Sequence, residues 1–263
     1  MILIYALFGL LVGGLINLLA DQLPRWRRVR RLPFCPQPKC QAPRPPWAWL
    51  ATVAYLRLKP HCAECNTRIS WRHPAVELGT AALFAFLWYR YGASAEFRYL
   101  ALFTLYSTIF FIVLVIDLEH KLILNVVIYP AWALALLGSF FHPVASFTKL
   151  ALLGGALGFG LLFLVYYLGE LFVRVVSKAR GKDINTPAFG FGDVRLGGFI
   201  GLVLGFPYVL HALFYAILLG GLVGMIYWLI RAVILRDYSP FTAIPYGPFL
   251  VAGAMGVMFF GSW

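Results

Sequence analysis

The stretch YLALFTLYSTIFFIVLVI, residues 99–116, carries no charge along its length and then meets Asp117. A helix rises about 1.5 Å per residue, so roughly 20 such residues cross a hydrocarbon core about 30 Å thick. The run has no period-two alternation and is rich in Leu, Phe and Ile, which favours a helix over a barrel strand. Runs of the same character lie at 2–20, 74–92, 122–141, 149–173, 194–206, 207–230 and 244–262. The expectation is an all-α polytopic membrane protein with about eight transmembrane helices. The boundary between the sixth and seventh runs, marked only by GFPYV at 205–209, is the softest.

Composition agrees. Hydrophobic residues make up 62% of the chain, charged residues 12%, and the mean hydropathy is +0.82, far from a soluble globular average. The opening MILIYALF has no basic flank, and LLADQLP at 18–24 offers no small-residue cleavage site, so the first run reads as a retained helix.

Lys and Arg accumulate on the cytoplasmic side of short loops. With the N-terminus outside, 19 of the 22 fall on that side, eleven of them in the segment 21–73; only Arg90, Arg98 and Lys149 face out. The net charge of +12 is therefore one-sided, and its plain meaning is topology plus attraction to anionic membrane lipids. No nucleic-acid partner is needed. This places the chain as a multi-pass membrane protein with its basic loops cytoplasmic and both termini outside. Three segments follow: a first helix at 1–20, a cytoplasmic loop domain at 21–73, and a transmembrane domain at 74–263.

Asp and Glu number only ten, and an acid at the edge of a span is a functional candidate. Asp117 closes the third run in FIVLVIDLEHKL, and Asp193 opens the sixth in FGFGDVRL, so both fall at the cytoplasmic boundary. Two carboxylates that meet at the edge of a low-dielectric region share a proton and titrate as a pair. Such a pair hydrolyses a peptide: one member takes a proton from the attacking water, and the other donates to the developing oxyanion. Gly190 and Gly192 suit close approach of an extended substrate and positive φ before the helix. The plainer alternative makes Asp193 a helix cap and Asp117 a helix end.

Around this pair stand secondary candidates. Glu119 points away from Asp117 on a helix and reads as a headgroup-level acid. Lys121 and Arg195 follow the aspartates, either to bias their charge or to reach lipid phosphates. Glu77, near the cytoplasmic end of the second run, either holds a substrate amine or orders the loop. Glycines at 197, 201 and 205, and at 220 and 224, follow a small-xxx-small pattern that allows close helix approach, or a crevice that admits a substrate helix.

The loop 21–73 holds every cysteine in the chain: Cys35 and Cys40, then Cys62 and Cys65. Two close thiol pairs on the reducing side of a membrane suit a closed tetrahedral zinc site that folds the loop and leaves no open position for catalysis. Disulfides or idle thiols are the alternative, and His61 is a possible substitute ligand.

Taken together, GLLVGGLINLLADQLP, the two cysteine pairs, ISWRHPAVELGTA, IDLEHKLILN, FGFGDVRLGGFIG and IPYGPFLVAGA resemble the prepilin peptidase family, the type IV leader peptidases of the G-x-G-D membrane aspartic protease class. The resemblance covers nearly the whole chain. It implies that Asp117 and Asp193 are catalytic, and that Cys35, Cys40, Cys62 and Cys65 are zinc-associated. The implied reaction is removal of the basic leader from a prepilin or pseudopilin after a glycine that precedes its hydrophobic helix. A complete cysteine loop resembles the bifunctional members, which also methylate the new N-terminus with S-adenosylmethionine. Two departures stand out. The first cysteine pair is spaced by four residues rather than the family's usual two, and Ile123, Leu124 and Asn125 replace a usual Ile-Pro-Asp or Ile-Pro-Asn. Readings from elsewhere are a peptidase without methylation, a presenilin-like protease, and a proton- or cation-coupled transporter or zinc-bearing scaffold.

Overall fold

The computed structural model describes residues 1–25, 34–35, 40, 42–92, 97–180, 190–231 and 245–261. Most of the basic run at 24–31 and the segment 181–189 ahead of Gly190 lie outside them. Among the described residues the secondary structure is helical, apart from two isolated bridges, Phe34 with Pro43 and His61 with Arg68.

Every expected run contains a helix. They are α1 (Ile2–Gln22), α3 (Arg72–Tyr91), α4 (Phe97–His120), α5 (Asn125–Phe140), α6 (Phe147–Arg180), α7 (Phe191–Leu204), α8 (Tyr208–Leu229) and α9 (Gly247–Phe260), with a short α2 (Ala51–Leu56) inside the cysteine loop. Only α1, α4, α6 and α8 are long and apolar enough to cross a membrane by length and composition. The expected count of eight exceeds this for two reasons. The helices α5, α7 and α9 have 16, 14 and 14 residues, which at about 1.5 Å each fall short of the core thickness. Helix α3 is long enough but carries Arg72, His73, Glu77 and Arg90. The soft boundary resolves at Gly205, whose φ of 68° ends α7 in a conformation that favours glycine.

The chain forms two compact units, Met1–Ile116 and Asp117–Trp263, divided inside α4. In the first, α1 and α3 run antiparallel, and α1 presents a stripe at four-residue spacing. Tyr5 lies against Phe84 and Trp88, and a Cβ on Gly9 would sit 2.7 Å from the Thr80 carbonyl. A Cβ on Gly13 would sit 2.6 Å from the Glu77 Cα. Further along, Asn17 donates to the His73 carbonyl at 2.9 Å, and Asp21 pairs with Arg72 and His73. Four-residue spacing returns each of these positions to one helix face, so apolar packing at one end gives way to a polar seam at the other.

In the second unit, α6 and α7 touch backbone to backbone. A Cβ on Gly201 would lie 2.0 Å from the Gly154 carbonyl oxygen, and one on Gly158 would lie 2.3 Å from that of Gly197. The glycines at 197 and 201 therefore serve packing between helices rather than an open crevice. Gly201→Ala is expected to cost about 3 kcal/mol or more, because backbone on the far side cannot yield as a side chain does. Gly221→Ala, whose Cβ meets nothing within 4 Å, is expected to leave the thermal midpoint in detergent unchanged. Equal midpoints for the two variants would contradict the close seam.

Candidate active site and metal centre

Asp117 lies in the last turns of α4 and Asp193 in the first turn of α7, both within the second unit. They are 5% and 9% exposed, and the charge of Asp117 acts on Asp193. Asp193 occupies the third helical position. The helix is capped by Gly190, and the Asp193 carboxylate accepts the Gly190 N–H while its own N–H donates to the Gly190 carbonyl at 3.1 Å. This is the return half of a capping box, so Asp193 contributes to the helix start without being its N-cap. Gly190 has φ −78° and ψ 133°, an extended conformation rather than the expected positive φ.

Asp117 faces the N-terminus of α9. The Gly247 N–H is directed at its carboxyl group, and a Cβ at Gly247 would fall 2.4 Å from Oδ2. That Oδ2 is buried and has no hydrogen-bond partner among the described residues. An orphaned carboxylate oxygen in a buried setting costs stability, and such costs collect where function needs them. Tyr246, next in the chain, lies within electrostatic reach of Asp193. Neither Tyr246 nor Gly247 was singled out by sequence reasoning. The motif IPYGPFLVAGA contained both, but nothing local tied it to the aspartates.

Gly192 is tightly approached by the protein itself: its Cβ would sit 2.9 Å from the Ile123 Cβ. The space expected for a substrate is taken by the chain that leaves α4. Lys121 closes α4 with φ 52°, donating its N–H to the Asp117 carbonyl at 2.9 Å, and its side chain is exposed. Arg195 turns to α5, donating to Asn125 Oδ1 and lying 4.6 Å over the Phe191 ring and 5.7 Å over Tyr129. Glu119 is exposed and lies 3.8 Å from His120.

In the first unit the cysteines converge. Their sulfurs all lie within 4.8 Å of one another, with Cys35 to Cys65 at 3.5 Å and Cys40 to Cys62 at 3.8 Å. A tetrahedron with metal–sulfur bonds of about 2.3 Å has edges of about 3.8 Å, whereas a disulfide needs about 2.05 Å. A backbone bond beside an isolated bridge flanks each pair: Cys35 N–H donates to the Ala42 carbonyl at 2.8 Å, and Cys62 N–H to that of Thr67 at 2.9 Å. Thr67 also hydrogen-bonds the Cys65 sulfur, at 3.2 Å from its hydroxyl, and pushes that thiol down to about 6. Thiolate is the form a metal takes. His61 stays outside the cluster.

Glu77 is 1% exposed and accepts the Ala51 and Thr52 N–H groups, each at 2.8 Å, as well as Asn17 Nδ2 at 3.4 Å. It thus caps α2 from α3 and fastens the cysteine loop to the α1–α3 seam. Of the two roles expected for it, the contacts support ordering the loop. Glu77→Gln leaves one fewer acceptor oxygen and removes the charge, at an expected cost of about 2 kcal/mol. Faster amide exchange at Ala51 and Thr52 is the measurement, and unchanged exchange would contradict this role.

Residues 104–225 match the type IV leader peptidase family, and residues 7–91 match the bacterial peptidase A24 N-terminal domain. Over 273 residues the chain is 30% identical to a prepilin leader peptidase/N-methyltransferase of Pseudomonas putida, covering 95% of this chain and 88% of that one. The chain belongs to the type IV leader peptidase family. A protein of the same description from Bacillus subtilis is 28% identical over 261 residues, with 99% and 95% covered. One from Pseudomonas aeruginosa is 28% identical over 275 residues, with 96% and 88% covered. No solved structure matches the chain. The family match removes support from the transporter reading, since the matched segment contains both aspartates.

Proposed function

We propose that the chain is a membrane aspartic endopeptidase that removes the basic leader of type IV prepilins or pseudopilins and then methylates the new N-terminus. The observation that carries this reading is the pair Asp117 and Asp193, two buried carboxylates at the ends of two helices, with Asp193 within reach of the Asp117 charge. One carboxylate takes a proton from water as the water oxygen bonds to the scissile carbonyl carbon. The other, as the acid, gives its proton to the carbonyl oxygen. Collapse of that intermediate breaks the C–N bond, and the departing amine takes up a proton. No acyl-enzyme forms. The cut falls after a glycine, on the cytoplasmic side.

The four cysteines fit a structural zinc, since their spacing matches a thiolate tetrahedron and uses all four ligands. The zinc-bearing segment 21–73 is then an insertion ordered by its metal. For the second activity, S-adenosylmethionine supplies the methyl group. The Lys and Arg distribution supports an inner-membrane, multi-pass topology with eight spans and both termini outside. In that arrangement the short helices α5, α7 and α9 require a locally thinned bilayer or snorkelling flanking residues. Anionic lipid faces the basic loops.

The test uses the full chain in detergent with a purified prepilin and S-adenosylmethionine. Mass spectrometry is expected to show loss of the leader and gain of one methyl group on the product. A cut product without the methyl group would reduce the reading to a peptidase alone, and an uncut precursor would refute it.

A further inference from the structure

Within the second unit, the first turn of α9 is arranged around Asp117. Tyr246 is the N-cap, Gly247 the first helical residue and Pro248 the second. The Tyr246 carbonyl accepts the Phe249 N–H at 3.1 Å and the Leu250 N–H at 3.3 Å, and Pro248 has no N–H to offer. The Gly247 N–H is therefore a donor that the helix start cannot satisfy internally, and it is directed at the Asp117 carboxyl group. On α8, Gly220 makes room for the neighbouring ring, since its Cβ would sit 3.0 Å from Tyr246 Cε2. The turn is thus braced from α8 while it faces Asp117.

A side chain at 247 would meet Asp117 first. Its Cβ would collide with Oδ2, and the next atoms are Cγ at 3.0 Å and Cβ at 3.5 Å of the same aspartate. All three belong to one side chain and none to backbone. Gly190 faces Asp193 in the same manner, its Cβ falling 3.0 Å from Oδ2. Further along α9 the glycines behave differently. A Cβ on Gly253 would collide with the Ala212 carbonyl oxygen and sit 3.0 Å from the Ala216 nitrogen, so Gly253 serves packing on α8, while one on Gly256 would meet nothing within 4 Å.

We propose that Gly247 is a positioning residue of the peptidase, which by lacking a side chain keeps Asp117 Oδ2 in place as the acceptor for the attacking water; this rests on the peptidase reading above. Oδ2 is buried and accepts nothing among the described residues, so a water that donates to it removes the cost of an orphaned carboxylate oxygen. Asp193, by contrast, already accepts the Gly190 N–H. Asp117 is then the base of the pair and Asp193 the acid. In the attack the water's proton passes to Asp117 Oδ2 as the water oxygen bonds to the scissile carbonyl carbon. The carbonyl π pair moves to its oxygen, which takes the proton held by Asp193. A methyl group at 247 forces the Asp117 carboxylate aside, and displacing a reacting group by about 1 Å costs about a hundredfold in rate. The loss falls on the rate rather than on the fold, because a side chain yields where backbone cannot.

The experiment measures the thermal midpoint in detergent and the steady-state cleavage of a purified prepilin by the full chain, for wild type and an alanine series along α9. Gly247→Ala is expected to keep the wild-type midpoint and KM and to lose about a hundredfold in kcat, the mark of an interaction made in the transition state. Gly253→Ala is expected to lower the midpoint, and Gly256→Ala to change neither midpoint nor kcat. A Gly247→Ala chain that cleaves at the wild-type kcat overturns the positioning role and leaves the peptidase reading standing. So does a midpoint lowered as far as that of Gly253→Ala, because the clash would then lie in the packing of the fold. A wild type that leaves the prepilin uncut overturns the peptidase reading itself, and the role of Gly247 with it.

Discussion

Asp193→Asn and Asp117→Asn are each expected to leave the chain folded and the prepilin uncut, with cleavage lowered about a hundredfold to ten-thousandfold, the usual worth of a general acid or base. Asparagine separates this outcome from helix capping. In Asp193→Asn the side-chain amide keeps an oxygen that accepts the Gly190 N–H, so the helix start and its packing survive while the proton-transfer group is lost. If the aspartate served only the helix, Asp193→Asn would cut at nearly the wild-type rate. Groups that act as a unit are not additive, so the double variant is expected to be no slower than the poorer single one. Cleavage and insertion measured together decide the matter: an inserted, stable Asp117→Asn that still cuts at the wild-type rate would sink the pair.

Cys62→Ser is expected to drop zinc from about one equivalent to near none and to unfold the loop with it, since a closed thiolate site contributes its binding energy to folding, about 10–16 kcal/mol in small zinc domains. Among the described residues, Glu77 also holds the loop through the Ala51 and Thr52 N–H groups. The loop's own apolar cluster is Ala48, Ala51, Ala54 and Ile69 with Tyr55 packed alongside, too small a core to order a segment of this length without a staple. Limited proteolysis is therefore expected to cut between residues 34 and 69 in Cys62→Ser and in chelator-treated wild type, but not in untreated wild type. Resistance in all three would show that Glu77 and the apolar cluster suffice, and the structural role of the metal would fall.

The spacing of the first cysteine pair shows how far local pattern reaches. Four intervening residues rather than two depart from the family's usual spacing, yet Cys40 lies 3.8 Å from Cys62, and the bridge between Phe34 and Pro43 brackets the pair. The glycines show the reverse. Their small-xxx-small spacing was visible, but which of them meet another backbone was not: Gly201 abuts Gly154, whereas Gly220 faces the Tyr246 and Phe249 rings and Gly224 meets nothing within 4 Å.

Hydropathy summed over some twenty residues is a property of one segment, and so the sequence alone determined where the helices lie, that the chain is a membrane protein, and that four thiols share one loop. The rare acids at run ends were legible for the same reason. The tertiary structure alone decided that Gly247 confronts Asp117, that Ile123 fills the space beside Gly192, and that Glu77 caps α2. Each of these joins segments distant in the chain at van der Waals or hydrogen-bond range, and no periodicity within either segment encodes its partner.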